Sequence, residues 1–220
     1  MNLSSFKQNA RNSLKGKWGT AILASLIASL LGSNGSIDLN FNSEESQIGS
    51  GFALGAFIIG VLFYCLGKVI NAGYQKFNLD LVDGMPCELG TLFTYFKHWK
   101  NLILTNLLSS LYIFLWSLLF IIPGIVAAYK YAMVPYILAE NPEMRPREAL
   151  EMSEEMMRGN KWRLFCLYFS FIGWHLLCLL SVGIGYIWLS PYINASVADF
   201  YREVSGTRFF ANLTTETENV

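Results

Sequence analysis

Residues 101–140 read NLILTNLLSSLYIFLWSLLFIIPGIVAAYKYAMVPYILAE. From Leu102 to Ile122 the stretch holds 21 residues without a charge. At about 1.5 Å of rise per residue, a helix of that length crosses a hydrocarbon layer of about 30 Å. Pro123 and Gly124 follow. Pro lacks an amide donor and Gly accepts turn geometry, so the pair predicts a hairpin turn. A second apolar run, Ile125 to Ala139, begins at once. The reading is a transmembrane hairpin, and the rest of the chain extends it.

Of the 220 residues, 53% are hydrophobic and 15% charged. Soluble domains average about 25% charged residues, so the depletion fits a membrane protein. Sixteen basic and sixteen acidic residues cancel, and the balance points to no nucleic-acid partner. Apolar segments at about 18–31, 52–70, 102–122, 125–139, 164–181 and 184–200 predict an all-α polytopic membrane protein. Its six transmembrane helices form three hairpins in a single domain over 1–202, with a frayed tail over 203–220. The first segment has the length of a signal-peptide core, but the helix-patterned residues before it are too long for a signal's charged start, so it is read as retained. Residues 32–51, rich in Gly, Ser and Asn, read as an exposed polar loop. Pro135 is expected to kink the fourth span.

Three stretches pattern as amphipathic helices on the cytoplasmic surface. The first sets Leu3, Phe6, Ala10 and Leu14 on one face with Lys7, Arg11, Lys15 and Lys17 around it. The second places Leu89, Leu92, Phe93 and Phe96 at i, i+3, i+4 and i+7. The third follows Pro146 with Ala149, Met152, Ser153, Met156 and Met157, a Met-rich face for a partner, the bundle or lipid. With the amino terminus inside, fifteen of the sixteen Lys and Arg fall on the inner side, and Lys130 lies within a span. The positive-inside rule then puts both termini in the cytoplasm. A basic boundary with Trp precedes each hairpin (KGKW, KHWK, GNKWR), so Trp18, Trp99 and Trp162 read as interfacial anchors of three repeated units.

Taken together, IIPGI at 121–125, Tyr131, ILAENP at 137–142, EAL with its following Ser, Met-Met and Gly over 148–159, FSFIGW at 169–174 and Pro191-Tyr192 resemble a known family. It is a family of uncharacterised integral membrane proteins of Gram-positive bacteria, catalogued only as a domain of unknown function. The pattern from Lys7 to Trp18 fits it as well. A fainter similarity joins the Pro-Gly hairpin to membrane domains attached to some bacterial glycerophosphodiester phosphodiesterases. The resemblance implies a multi-span protein of the bacterial plasma membrane and supplies no catalytic residue.

Ionisable residues inside a membrane are costly and therefore candidates for function. Lys130 lies six residues beyond Gly124, and His175 six before Ser181. Ser117 and Ser190 fall at a similar level. These four predict a polar pocket in the outer leaflet, with Lys130 anchoring an anionic ligand or lipid headgroup. The plainer alternative has Lys130 reaching to the surface and His175 bonding between helices. Asn106 and Asn194 are expected to bond between helices. The four cysteines show no metal or redox spacing, and no nucleophile elbow, metalloprotease helix or phosphate loop occurs. The expected function is non-enzymatic, without cofactor or metal, organising membrane lipids (anionic ones included), a protein partner or a second copy at the cytoplasmic face. The alternative is a small permease.

Overall fold

The protein is described by a computed structural model covering residues 3–32, 50–119, 121–181 and 183–206. Residues 33–49 of the loop expected over 32–51 and residues 207–220 of the expected tail lie outside the described residues, while Gly32 ends α2 and residues 50 and 51 begin α3. Among the described residues there are ten α-helices and one 3-10 helix, and no strand. They are α1 (Leu3–Leu14), α2 (Trp18–Gly32), α3 (Ser50–Val82), the 3-10 helix (Leu89–His98), α4 (Trp99–Leu119) and α5 (Ile121–Lys130). α6 (Val134–Glu140), α7 (Pro146–Met156), α8 (Lys161–Phe169), α9 (Ile172–Leu180) and α10 (Tyr186–Val204) follow.

The carboxyl-terminal half of α3 is the centre, with α2, the 3-10 helix, α4, α6 and α10 packed around it. On α2 the small residues Ala21, Ala24 and Ala28 are buried in one cluster with Ile70, Tyr74 and Phe77 of α3. Gly73 lets the 3-10 helix lie directly on α3, since a Cβ there would stand 2.5 Å from the Leu92 carbonyl oxygen. α6 is short yet buried nearly all round, through Val134, Tyr136, Ile137, Leu138 and Ala139. Each such large side chain contributes about 1.5–3 kcal/mol relative to exposure, so packing rather than propensity holds this helix.

The amphipathic stretches are built into this base. Phe6, Ala10 and Leu14 are fully buried, and α1 packs chiefly along α10. The second stretch is a 3-10 helix, whose three-residue period aligns Leu89, Leu92 and Tyr95. It therefore buries Leu92 and Tyr95, while Phe93 and Phe96, expected inside, stack on each other outside. α7 buries Ala149, Leu150 and Ser153, with Met157 just beyond it, and leaves Met152 exposed.

From the base project two apolar arms. The outer part of α4 with the start of α5 makes one, and α9 with the start of α10 the other. Leu118 is 78% exposed, Ile122 75% and Leu180 81%, as bare as side chains in water. Among the described residues three helical stretches are long and apolar enough to cross a membrane: Leu89–Leu118, Ile122–Glu140 and Lys161–Leu180. That replaces the expected six. Trp18–Ser29 is apolar but short. The 184–200 segment lies in α10 among Ser190, Asn194, Ser196 and Asp199. α3 is 33 residues long, about 50 Å, and its side chains are described only from Leu66.

Two expected continuous spans are broken. The fourth bends over 131–133 between α5 and α6, and Pro135 stands in the first turn of α6 rather than kinking a helix interior. The fifth bends at Ser170-Phe171 between α8 and α9. The Pro123-Gly124 turn is also corrected. α4 ends at Leu119 and α5 begins at Ile121, so Pro123 and Gly124 belong to the first turn of α5. Pro costs little there because that turn's amides have no helical partner. Gly124 instead allows close approach, since a Cβ on it would overlap Ser117.

Candidate functional site

Each break exposes backbone carbonyls that an apolar surrounding cannot hydrate. Side chains from the amphipathic helices answer them. The Ser153 hydroxyl of α7 donates to the Lys130 carbonyl at 2.9 Å. The Lys7 ammonium of α1 donates to the Ser170 carbonyl at 2.9 Å and sits 4.4 Å from the Phe171 ring centre. These partners are 23 and 163 residues away in sequence.

Arg202 of α10 ties three helix ends together. Its Nε and Nη2 donate to Asp83 at 2.9 and 2.5 Å, just past α3, and Nη1 donates to Glu140 at the end of α6. The Tyr201 hydroxyl donates to the second oxygen of Glu140 at 2.5 Å. Burial alone would lower the Arg202 pKa, but the two carboxylates reverse that and hold it above its ordinary value. Burial, reinforced by Glu140, pushes the Tyr201 hydroxyl well above the ordinary phenol range. Arg163 donates to Glu203 at 2.5 Å with its guanidinium about 6 Å from the rings of Phe6 and Phe200. The forked pairing of Arg202 with Asp83 and Glu140 makes this cluster a clamp.

The four residues expected to share a pocket each have their own neighbours. Lys130 pairs with Glu154 of α7 at 2.8 Å. Ser117 donates to the Ile113 carbonyl at 2.8 Å on its own helix. His175 Nδ1 lies 3.3 Å from the Tyr186 hydroxyl. Ser190 lines a hollow of about 470 Å³ with Tyr186, Ser25 and Ser29. No hydrogen bond or ion pair among the described residues joins any two of the four. Behind Ser190 the Tyr74 hydroxyl is buried beside Asn78 and Asn194 without closing a hydrogen bond. Asn106 and Asn194 donate within their own helices, to Leu102 and Ser190 carbonyls, whereas Asn101 bonds across to Pro142 and Met144.

Of the expected anchors, Trp99 and Trp162 are exposed, Trp99 beside the Lys100 ammonium and Trp162 stacked on Phe165. Trp18 is half-buried against the base. Sequence reasoning missed Arg202, Asp83, Glu140 and Tyr201 as a unit. The only signal was charge at helix ends, which does not say which ends meet.

Fold and site define an all-helical protein with membrane-length apolar helices set on an ion-paired base. The chain belongs to the family described as "Protein of unknown function (DUF975)", whose profile matches residues 1–129 and 118–208. No curated protein and no solved structure matches it.

Proposed function

We propose that this is a non-enzymatic protein of the bacterial cytoplasmic membrane, embedded by its apolar hairpins with both termini inside, and that it organises lipid or a partner at the cytoplasmic face. The observation that carries the reading is the division of one chain into two surfaces. The arms present Leu, Ile, Phe and Trp outward, while the base clusters the charges of Arg163, Arg202, Asp83, Glu140 and Glu203. An apolar face this large in water would drive aggregation, and in lipid it needs no cover. The basic residues of α1, the 3-10 helix and α8 lie on the base side, where anionic headgroups of the inner leaflet would meet them.

The permease alternative asks for an unpaired ammonium at Lys130. Lys130 pairs with Glu154, so the scaffold reading is favoured. The test is single-cysteine labelling in intact cells, on a background without the four native cysteines. Ser181→Cys should react with an impermeant maleimide from outside, and Lys97→Cys only after the membrane is opened. The reverse pattern, or release of the protein by alkaline carbonate, would sink the reading.

A further inference from the structure

Lys7 and Arg11 of α1 and Lys15 just past its end recur every fourth residue, so they share one face, which flanks the row of Phe6, Ala10 and Leu14 buried in the base. None of the three makes an ion pair among the described residues. Lys7 is partly engaged, donating to the Ser170 carbonyl. Arg11 and Lys15 are exposed. This face lines a hollow of about 440 Å³ whose wall has no acidic side chain among the described residues.

A second hollow, of about 490 Å³, opens beside it between the start of α2 and the α9–α10 arm. Trp18, Trp174, Leu177, Trp188 and Leu189 make most of its wall, and again no acidic residue lines it among the described residues. Arg11 and Tyr192 belong to both hollows, so the cationic shelf and the apolar cleft are one continuous surface. Its size is that of sites which hold small organic molecules, about 300–1,000 Å³.

We propose that this surface binds one anionic phospholipid, its phosphate on Arg11 with Lys15 and Lys7, and an acyl chain in the cleft against Trp174, Leu177 and Trp188. Charge selects the head: unpaired cations converge where no carboxylate competes, and the planar guanidinium matches two phosphate oxygens at once. The walls select the tail. A soluble phosphate would leave the tryptophan-lined half of the site without a partner, and a protein helix would have to enter the same apolar layer as the arm. The proposal rests on the reading of the arms as lipid-embedded, which the carbonate and labelling tests decide independently.

The experiment is native mass spectrometry of the full chain from detergent holding equimolar phosphatidylglycerol and phosphatidylcholine of the same acyl chains. The wild type should retain a single phosphatidylglycerol in preference to phosphatidylcholine. Each exposed charge removed, in Arg11→Gln and then Arg11→Gln/Lys15→Gln, should lower that preference about fivefold. Trp174→Ala should weaken retention of both lipids while keeping the preference. Equal retention of the two lipids by the wild type overturns the proposal, as does a preference untouched in the double variant. Both basic side chains are exposed, so the variants keep the fold. A thermal midpoint equal to that of the wild type verifies this, and Lys15→Gln alone serves as the second variant.

Discussion

Arg202 stands where three chain segments end, and its two carboxylate partners come from 119 and 62 residues away. Asp83 and Glu140 are about 30% exposed, so the clamp lies between an open surface pair and a dry one. Removing one partner of a dry pair costs about 3–5 kcal/mol and of an exposed one about 0–1. Arg202→Gln should therefore lower stability by roughly 2–3 kcal/mol in a detergent melt, and Arg202→Lys should recover only part, because one ammonium cannot serve both carboxylates as the fork does. An unchanged midpoint would mean the clamp is idle. Tyr201 adds a pH dependence of definite sign. Its hydroxyl stays protonated in the folded protein above the pH, about 10, at which an unfolded phenol ionises. Its contribution is complete below about pH 10 and is lost as pH rises through the folded value. Melting between pH 9 and 11 should show a decline that is shallower in Tyr201→Phe.

At the scale of the element, the two bent helices depend on side chains from elsewhere. Ser153→Ala leaves the Lys130 carbonyl without its donor at the 131–133 break, which should cost about 1–3 kcal/mol. Hydrogen exchange of the amides around that break should quicken, while exchange within α10 should not. Uniform quickening would count against a local role. Gly73→Ala tests another joint: its Cβ meets the Leu92 backbone, which cannot swing aside as a side chain could. The 3-10 helix must then shift, at a cost of about 1–3 kcal/mol. These joints also mark how far the sequence could be read. The uncharged run from Leu102 to Ile122 and the all-helical class needed only local pattern. The bends at 131–133 and 170–171 could not be placed, because Ile125–Ala139 and Leu164–Ser181 hold no Lys, Arg, His, Asp or Glu apart from Lys130 and His175, Pro135 and Ser170 by themselves fix no break, and the groups that make the bends tolerable lie on α7 and α1. The pairing of Lys130 was hidden likewise: its depth could be counted from Gly124, but Glu154 reaches it only because α7 packs beside α4 and α6. The face of the 3-10 helix was misread since i, i+3, i+4 spacing assumes 3.6 residues per turn, and 89–98 has three.

For the whole molecule, one chain carries two kinds of hydrophobic surface that composition cannot tell apart. Leu102 and Phe200 are completely buried in the base, whereas Leu118 and Leu180 stand on arms where little protein touches them. If lipid covers the arms, truncating an arm leucine exchanges side chain for lipid tail and leaves no cavity. Leu118→Ala and Leu180→Ala should then stay within about 0.5 kcal/mol of the wild type. Leu102→Ala and Phe200→Ala open holes in a close-packed base and should cost about 2–5 kcal/mol. Charge reverses the order of harm. Leu118→Arg should impair insertion, by up to about 2.5–3.5 kcal/mol if the site lies at mid-membrane and less toward its edge, while the already inserted fraction melts normally. Thermal melts of the four truncations, with the membrane-inserted fraction of the arginine variant, separate the alternatives. Should Leu118→Ala and Leu180→Ala melt as low as Phe200→Ala, the arms are held by tight protein contacts. The fold would then be one half of an assembly, and lipid would not be what covers its apolar face.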